Sequence, residues 1–256
     1  MDEFTSPKSP GVSDHKYLQR LQHLVDTSKR IVFFSGAGVS TESGIPDFRS
    51  AHGIYSERYR RELDPEQIVS APFLAAEPET FFDFYRSKLI YPDARPNPAH
   101  LAVAALEKAG KLQGVVTQNI DGLDEMAGTT RVAELHGTTL RNYCLGCGRE
   151  YSRDFILAST GIPRCEDCGE MVRPDVVLYG EGLDDAVFTR AARWIASADL
   201  LIVAGTSLRV YPAASLLHYF EGENLVLINK TATQADAAAR LVIREPVGEV
   251  MGTLRI

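Results

Sequence analysis

The sequence predicts an α/β fold, a parallel sheet with helices on both faces, joined to a smaller domain of different character. Three observations carry this. Short apolar runs rich in β-branched and aromatic residues alternate with longer segments of helical periodicity. The runs are apolar throughout and end in polar or glycine residues, as strands of a sheet covered on both faces do. One stretch, residues 140–173, breaks the alternation and holds all four cysteines of the chain.

In chain order, residues 1–15 are rich in Pro, Ser, Gly and charge and read as a flexible tail. Lys16 to Thr27 brings Tyr17, Leu18, Leu21, Leu24 and Val25 onto one face, an amphipathic helix. Arg30-Ile31-Val32-Phe33-Phe34 is a buried strand, broken by Gly36-Ala37-Gly38 before an expected helix. Residues 51–95 form a helical insertion. Asn97 is a candidate N-cap, Pro98 suits the first helical position and Gly110 the position after the last turn. Further strands are expected at Gly114 to Gln118, Val132 to Leu135, Asp199 to Ala204 and Asn224 to Ile228, with helices over 186–198 and 212–220. The larger domain then comprises 16–50, 96–139 and 174–256, and the smaller comprises 51–95 and 140–173. Ligands of such sheets bind beyond the carboxyl ends of the strands. That is where Ser35 to Gly38, Gln118 to Asp121, Gly205 to Ser207 and Asn229-Lys230 fall.

Composition narrows the function. The 256 residues are 45% hydrophobic and 24% charged, ordinary globular values that exclude wholesale disorder. A net charge of −7 gives no footprint for direct nucleic-acid binding, and no apolar run is long enough to span a membrane. The first residues have neither a basic nor an apolar signal region, so a cytoplasmic protein is expected. Oligomeric state is not legible.

Cys144-Leu145-Gly146-Cys147 and Cys165-Glu166-Asp167-Cys168 are two C-x₂-C knuckles separated by 17 residues, a structural-zinc spacing. Four thiolates leave no open coordination position, so this zinc holds structure and does no chemistry. Gly36-Ala37-Gly38 after a strand suits close approach of a dinucleotide pyrophosphate. The third glycine of the usual fingerprint is replaced by Thr41, and Gly44 comes three residues late, so a turn of any α/β protein reads the same way. Gln118 and Asn119 carry amides suited to ribose hydroxyls. Asp121 carries a carboxylate suited to a carboxamide N–H₂, and His136 is of the type that serves as a general base near neutral pH.

The run Gly36-Ala37-Gly38-Val39-Ser40-Thr41-Glu42-Ser43-Gly44-Ile45-Pro46-Asp47-Phe48-Arg49 resembles the NAD-binding signature of the sirtuins, the NAD-dependent protein lysine deacylases. Thr117-Gln118-Asn119-Ile120-Asp121-Gly122-Leu123, Glu134-Leu135-His136-Gly137, the cysteine knuckles, Arg173 to Glu181, Gly205-Thr206-Ser207-Leu208 and Ile228-Asn229 follow in the family's order. The resemblance covers about residues 16–250. It implies a Rossmann-like NAD-binding domain with a small zinc-ribbon and helical domain. It implies that Gly36, Ala37, Gly38, Thr41, Asp47, Phe48, Arg49, Gln118, Asn119, Ile120, Asp121, Thr206, Ser207, Asn229 and Lys230 hold NAD. His136 would be the base, with Asn119 beside it, and Val177, Leu178, Tyr179 and Val210 would line an acyl-lysine channel.

The reaction so implied starts with attack of the acyl-lysine carbonyl oxygen on ribose C1′ as nicotinamide leaves. It yields free lysine and O-acetyl-ADP-ribose. The implied partners are acylated-lysine proteins or peptides. Within the family, succinyl- and malonyl-lysine preference goes with a Tyr-x-x-Arg pair; here Tyr85 is present but Lys88 stands where Arg would. Lys lacks the planar fork that holds a carboxylate, so a deacetylase is expected. A desuccinylase or demalonylase, a mono-ADP-ribosyltransferase and a non-catalytic NAD sensor are the alternatives.

Overall fold

The structure, a computed structural model, describes residues 15–48, 53–54 and 63–256. The expected tail, apart from residue 15, and Arg49 lie outside the described residues. Helix α1 (His15–Thr27) leads into β1 (Ile31–Ser35), and a 3₁₀ turn over Ala37–Ser43 follows, in place of the expected helix. Next come α2 (Pro65–Ile68), α3 (Ala71–Ala76), α4 (Pro78–Phe84) and a π-helical turn over Tyr85–Leu89. Helix α5 (Pro98–Lys108), β2 (Leu112–Thr117), α6 (Leu123–Met126) and β3 (Val132–Glu134) return the chain to the large sheet. Strands β4 (Gly137–Cys144) and β5 (Glu150–Ser152), helix α7 (Arg153–Ala158) and β6 (Val172–Val176) form the cysteine-bearing region. The chain ends with α8 (Asp185–Ser197), β7 (Leu200–Ala204), a 3₁₀ helix over Ala213–Tyr219, β8 (Asn224–Ile228), β9 (Leu241–Ile243) and α9 (Val247–Met251).

Six strands make a wholly parallel sheet in the order β3-β2-β1-β7-β8-β9. The chain starts in the middle, moves one way to β3, then returns to build β7 to β9 on the other side. The strand order therefore reverses between β1 and β7, the crevice where doubly wound sheets take ligands. Alternate residues of each strand enter opposite cores. Ile31, Phe33, Val115, Ile202 and Val226 pack with Leu21, Val103, Leu106 and Met251. Val32, Phe34, Val116, Leu201 and Leu227 pack with Ala191, Ile195 and Leu216. Phe33 and Phe34 are both fully buried, and each such side chain contributes about 1.5–3 kcal/mol.

The expected caps on α5 are present. Asn97 accepts from the Ala99 amide, its own amide donates to His100 Nδ1 at 3.2 Å, and Gly110 takes a φ of 71°. Three prolines, Pro65, Pro72 and Pro78, stand in the first turns of α2 to α4, and this punctuation keeps the helices short. Their apolar faces meet an antiparallel sheet of order β5-β4-β6 in a third core containing Phe81, Phe82, Phe84, Tyr85, Ile156 and Val172. The expected helix over 212–220 is a 3₁₀ helix. No described helix is long and apolar enough to cross a membrane.

Candidate active site

A cleft of about 750 Å³ opens at the switch point. Its floor is built by the turns that follow β1 and β7, which approach more closely than side chains would allow. A Cβ on Gly36 would stand 2.7 Å from Thr206 Cβ, and one on Gly38 would stand 2.8 Å from Gly205 Cα. The glycines are thus demanded first by loop–loop packing. The Gly36 and Gly38 amides donate to the carbonyls of Ala204 and Gly205, and the Val39 amide donates to Gly36. Among the described residues the Ala37 N–H has no acceptor, and Ala37 lines the cleft at the start of the 3₁₀ turn, where an anion is favoured.

Beyond β2, Gln118 donates from Nε2 to Thr206 Oγ1 at 3.0 Å, tying the two strand ends together. Asn119 is nearly buried, and its Nδ2 donates to Gly36 O and Ser40 Oγ, both at 3.1 Å. This fixes the amide with Oδ1 as the remaining acceptor, suited to a ribose hydroxyl. Asp121 does not line the cleft itself. Its Oδ2 accepts from Ser40 Oγ at 2.6 Å and its Oδ1 from the Leu123 amide at 2.9 Å, and the side chain stands behind the cleft wall. It braces the turn that carries Ser40.

His136 sits where the two sheets join. The Leu135 amide pairs with Thr117 O, and the His136 carbonyl accepts from Val177 N at 3.0 Å. Gly137 turns the chain with φ 73°, and a Cβ there would fall 2.0 Å from Asp175 O. The ring is fixed by Nδ1, 2.9 Å from Gln118 O. A carbonyl can only accept, so Nδ1 carries the proton and Nε2 keeps its lone pair. Burial holds the imidazole below its ordinary range, against the smaller opposing effect of the Gln118 carbonyl. Near neutral pH it is uncharged and able to accept a proton.

Thr41, Asp47, Phe48, Ile120, Thr206, Ser207, Asn229 and Lys230 line the cleft, as do Val177, Leu178, Tyr179 and Val210. Tyr85 does not. It is 0% exposed, stacked on Phe81 with ring centroids 5.8 Å apart. The π turn directs the ring into the third core, and the side chain one turn on, Leu89, reaches the cleft in its place. The sequence reading also missed Val69, Thr231, Ala232 and Glu245 to Val247. Glu245 follows the short strand β9, so the strand-end rule that found Asn229 would have found it had β9 been recognised.

The four cysteine sulfurs lie within 4.8 Å of one another, with Cys144–Cys168 at 3.3 Å and Cys147–Cys165 at 3.6 Å. Tetrahedral zinc with thiolates at about 2.3 Å sets sulfurs about 3.8 Å apart, so the cluster fits one ion. Gly148 and Gly169 close the two knuckles with φ of 74° and 76°. Tyr151 Oη donates to Cys165 Sγ at 3.2 Å, orienting that ligand.

The sequence model of the Sir2 family matches residues 36–212. An NAD-dependent protein deacetylase of Clostridium perfringens (strain 13 / Type A) is 56% identical over 92% of this chain and 97% of its own. One from Staphylococcus aureus (strain Mu50 / ATCC 700699) is 45% identical over 93% and 97%. Among solved structures, a Sir2 complex with a deacetylated p53 peptide and 3′-O-acetyl ADP-ribose superposes with a TM-score of 0.83, at 36% identity over 91% of this chain and 95% of that one. A Sir2 complex with p53 peptide and NAD⁺ gives 0.80 at 37% identity over 91% and 95%. With its motifs in order, its switch-point cleft and relatives of this similarity over nine-tenths of its length, the chain belongs to the Sir2 family.

Proposed function

We propose that the chain is an NAD-dependent protein lysine deacetylase, releasing nicotinamide, free lysine and 2′-O-acetyl-ADP-ribose. The observation that carries this is His136, neutral, tautomer-fixed by Gln118 O, and set in the wall between an apolar channel and a dinucleotide-sized cleft. NAD supplies an activated ribose C1′ with nicotinamide as leaving group. The chain supplies the rest. Ala37 N–H and the Thr206–Ser207 turn meet phosphate, Asn119 Oδ1 accepts from ribose, and His136 Nε2 takes a proton from a ribose hydroxyl. Phe48, between cleft and third core, keeps water from the reacting carbon.

The acyl group is apolar and short. Val69, Leu89, Ile120, Val176 and Leu178 line the inner wall; Tyr85 is sealed away, and Lys88 is not among the lining residues. Among the described residues, no Lys or Arg side chain lines the cleft beside these five to receive a succinyl carboxylate. An unpaired buried charge costs about 3–5 kcal/mol, so kcat/KM for succinyl-lysine falls roughly 10²- to 10⁴-fold below acetyl-lysine.

The large sheet with 16–50, 96–139 and 174–256 forms the NAD-binding domain, and 51–95 with 140–173 forms the small one. Their separate hydrophobic cores support this division. Acylated-lysine proteins or peptides are the partners. Thiols kept reduced for zinc fit a cytoplasmic protein. Mass spectrometry of an acetyl-lysine peptide incubated with protein and NAD tests the reading. Acetyl loss matched by nicotinamide and O-acetyl-ADP-ribose, and abolished in His136→Ala, is expected. Nicotinamide release with the peptide intact refutes deacetylation.

A further inference from the structure

We propose that Arg209 selects acylated peptides that carry an acidic side chain within two residues of the acyl-lysine. The proposal rests on the deacetylase reading and deepens it. Arg209 is exposed and lines the cleft next to Val210, in the loop beyond β7. That loop is pinned on either side of it. Leu208 holds a φ of 54°, its amide donates to Thr206 Oγ1, and its carbonyl accepts from Gln234 Nε2, while the Val210 carbonyl accepts from Ala214 N. The guanidinium is therefore presented from a fixed backbone, yet among the described residues it has no hydrogen bond and no ion pair.

Among the described residues, the opposite rim offers it no free acid. Glu181 is bound by Arg173 through both oxygens, at 2.6 and 3.1 Å, and also accepts from the Leu178 amide. Asp184 caps α8 by accepting from Val187 N at 2.8 Å. The other charged residues of the described wall, Lys230 and Glu245, follow β8 and β9, farther along the sheet from β1 than the loop of Arg209. Asp47 lies on the β1 side. A main chain laid between the 180–183 segment and the Arg209–Val210 segment would send its acyl-lysine inward past Val210. Neighbouring side chains of that peptide then fall within reach of Arg209, a cation without a partner among the described residues. Tyr211, 62% exposed, adds an apolar flank beside it. A guanidinium with free donors recognises a carboxylate by charge-assisted hydrogen bonds.

The test measures binding by fluorescence anisotropy and kcat/KM by nicotinamide release. The peptides carry one acetyl-lysine and Glu, or in its place Gln, at each of the four flanking positions. Rim ion pairs are modest, so one position should favour Glu over Gln about three- to fivefold at low salt. The ratio should fall to about one in Arg209→Gln and invert in Arg209→Glu, and salt should erase it in the wild type. A Glu preference that survives Arg209→Gln, or no preference at any position, overturns the proposal. So does a raised KM for NAD with an unchanged peptide ratio, which would put the guanidinium on the nucleotide. Turnover of the Gln peptides reports separately on the deacetylase reading, so the two can fail independently.

Discussion

Replacing Glu125 by Gln should stabilise the protein above neutral pH and leave it unchanged in acid. Glu125, on α6, is half-buried and within hydrogen-bond reach of Glu134, whose carboxylate also takes a 2.6 Å contact from Arg141. Burial, aided by the charges of Glu134 and Asp121, pushes Glu125 from its ordinary 4.5 up to about 7. Below the unfolded value both states hold the proton and pH has no effect. Between 4.5 and 7 the folded protein keeps a proton that the unfolded chain releases, so stability falls as pH rises. Above the folded value the loss is complete. At about 1.4 kcal/mol per unit the shift amounts to roughly 3 kcal/mol, and solvent screening of a half-buried group reduces it to on the order of 1–2 kcal/mol. The Gln amide keeps a donor toward Glu134 without the charge. Urea unfolding of zinc-loaded protein at steps from about pH 5 to about pH 8.5 measures the difference. A difference smallest at the acid end and growing to on the order of 1–2 kcal/mol at the alkaline end is expected. A gain independent of pH, or none at the alkaline end, would refute the reasoning.

Gly137→Ala places a methyl 2.0 Å from Asp175 O at a left-handed φ, so the β4–β6 pairing must open. Loss of more than about 3 kcal/mol of stability and of nearly all activity is expected from thermal unfolding and a deacetylation assay. Gly114→Ala drives a methyl to 2.4 Å from the Trp194 ring; the cost, about 1–3 kcal/mol of overpacking, should appear in urea midpoints, with the zinc content unchanged. Cys144→Ala should lose zinc by elemental analysis and, with it, the fold of the small sheet by circular dichroism; full zinc content would contradict the ligand assignment. Because burial keeps His136 neutral, kcat/KM should hold through neutrality and fall in acid with a midpoint below the ordinary histidine value, whereas a midpoint above it would remove His136 as the base.

What was legible in the sequence was what local chemistry fixes. The knuckles of Cys144 to Cys168 and the cap of Asn97 need only a few neighbouring residues, and both stand as read. The strands were legible because residues buried on two faces leave an uninterrupted apolar run. Tyr85 was not legible. Its spacing fits a helix facing a channel, but a π turn rotates the side chains after Phe84, and Phe81 and Phe82 draw the ring into a core made largely by residues far along the chain. The short strand β9 failed for a related reason: three residues, Leu241 to Ile243, carry too little pattern to identify, and Glu245 to Val247 were missed with them.

The glycine-rich loop shows how a correct site can be reached through an incomplete cause. Gly36 and Gly38 suggest room for a phosphate, and they do border the cleft. Yet their Cβ positions are blocked by Thr206 and Gly205, in the turn after β7, which comes far later in the chain, and their amides are spent on Ala204 and Gly205. The glycines bring two strand ends into contact, and among the described residues the contact leaves one amide, that of Ala37, and one acceptor, Asn119 Oδ1, on residues that line the opening. The ligand-facing groups are those left over when the protein has satisfied its own backbone. The same holds for His136, whose reactive nitrogen is identified by the hydrogen bond its other nitrogen makes, while Asp121, accepting from Ser40 Oγ and the Leu123 amide, braces the turn behind the wall.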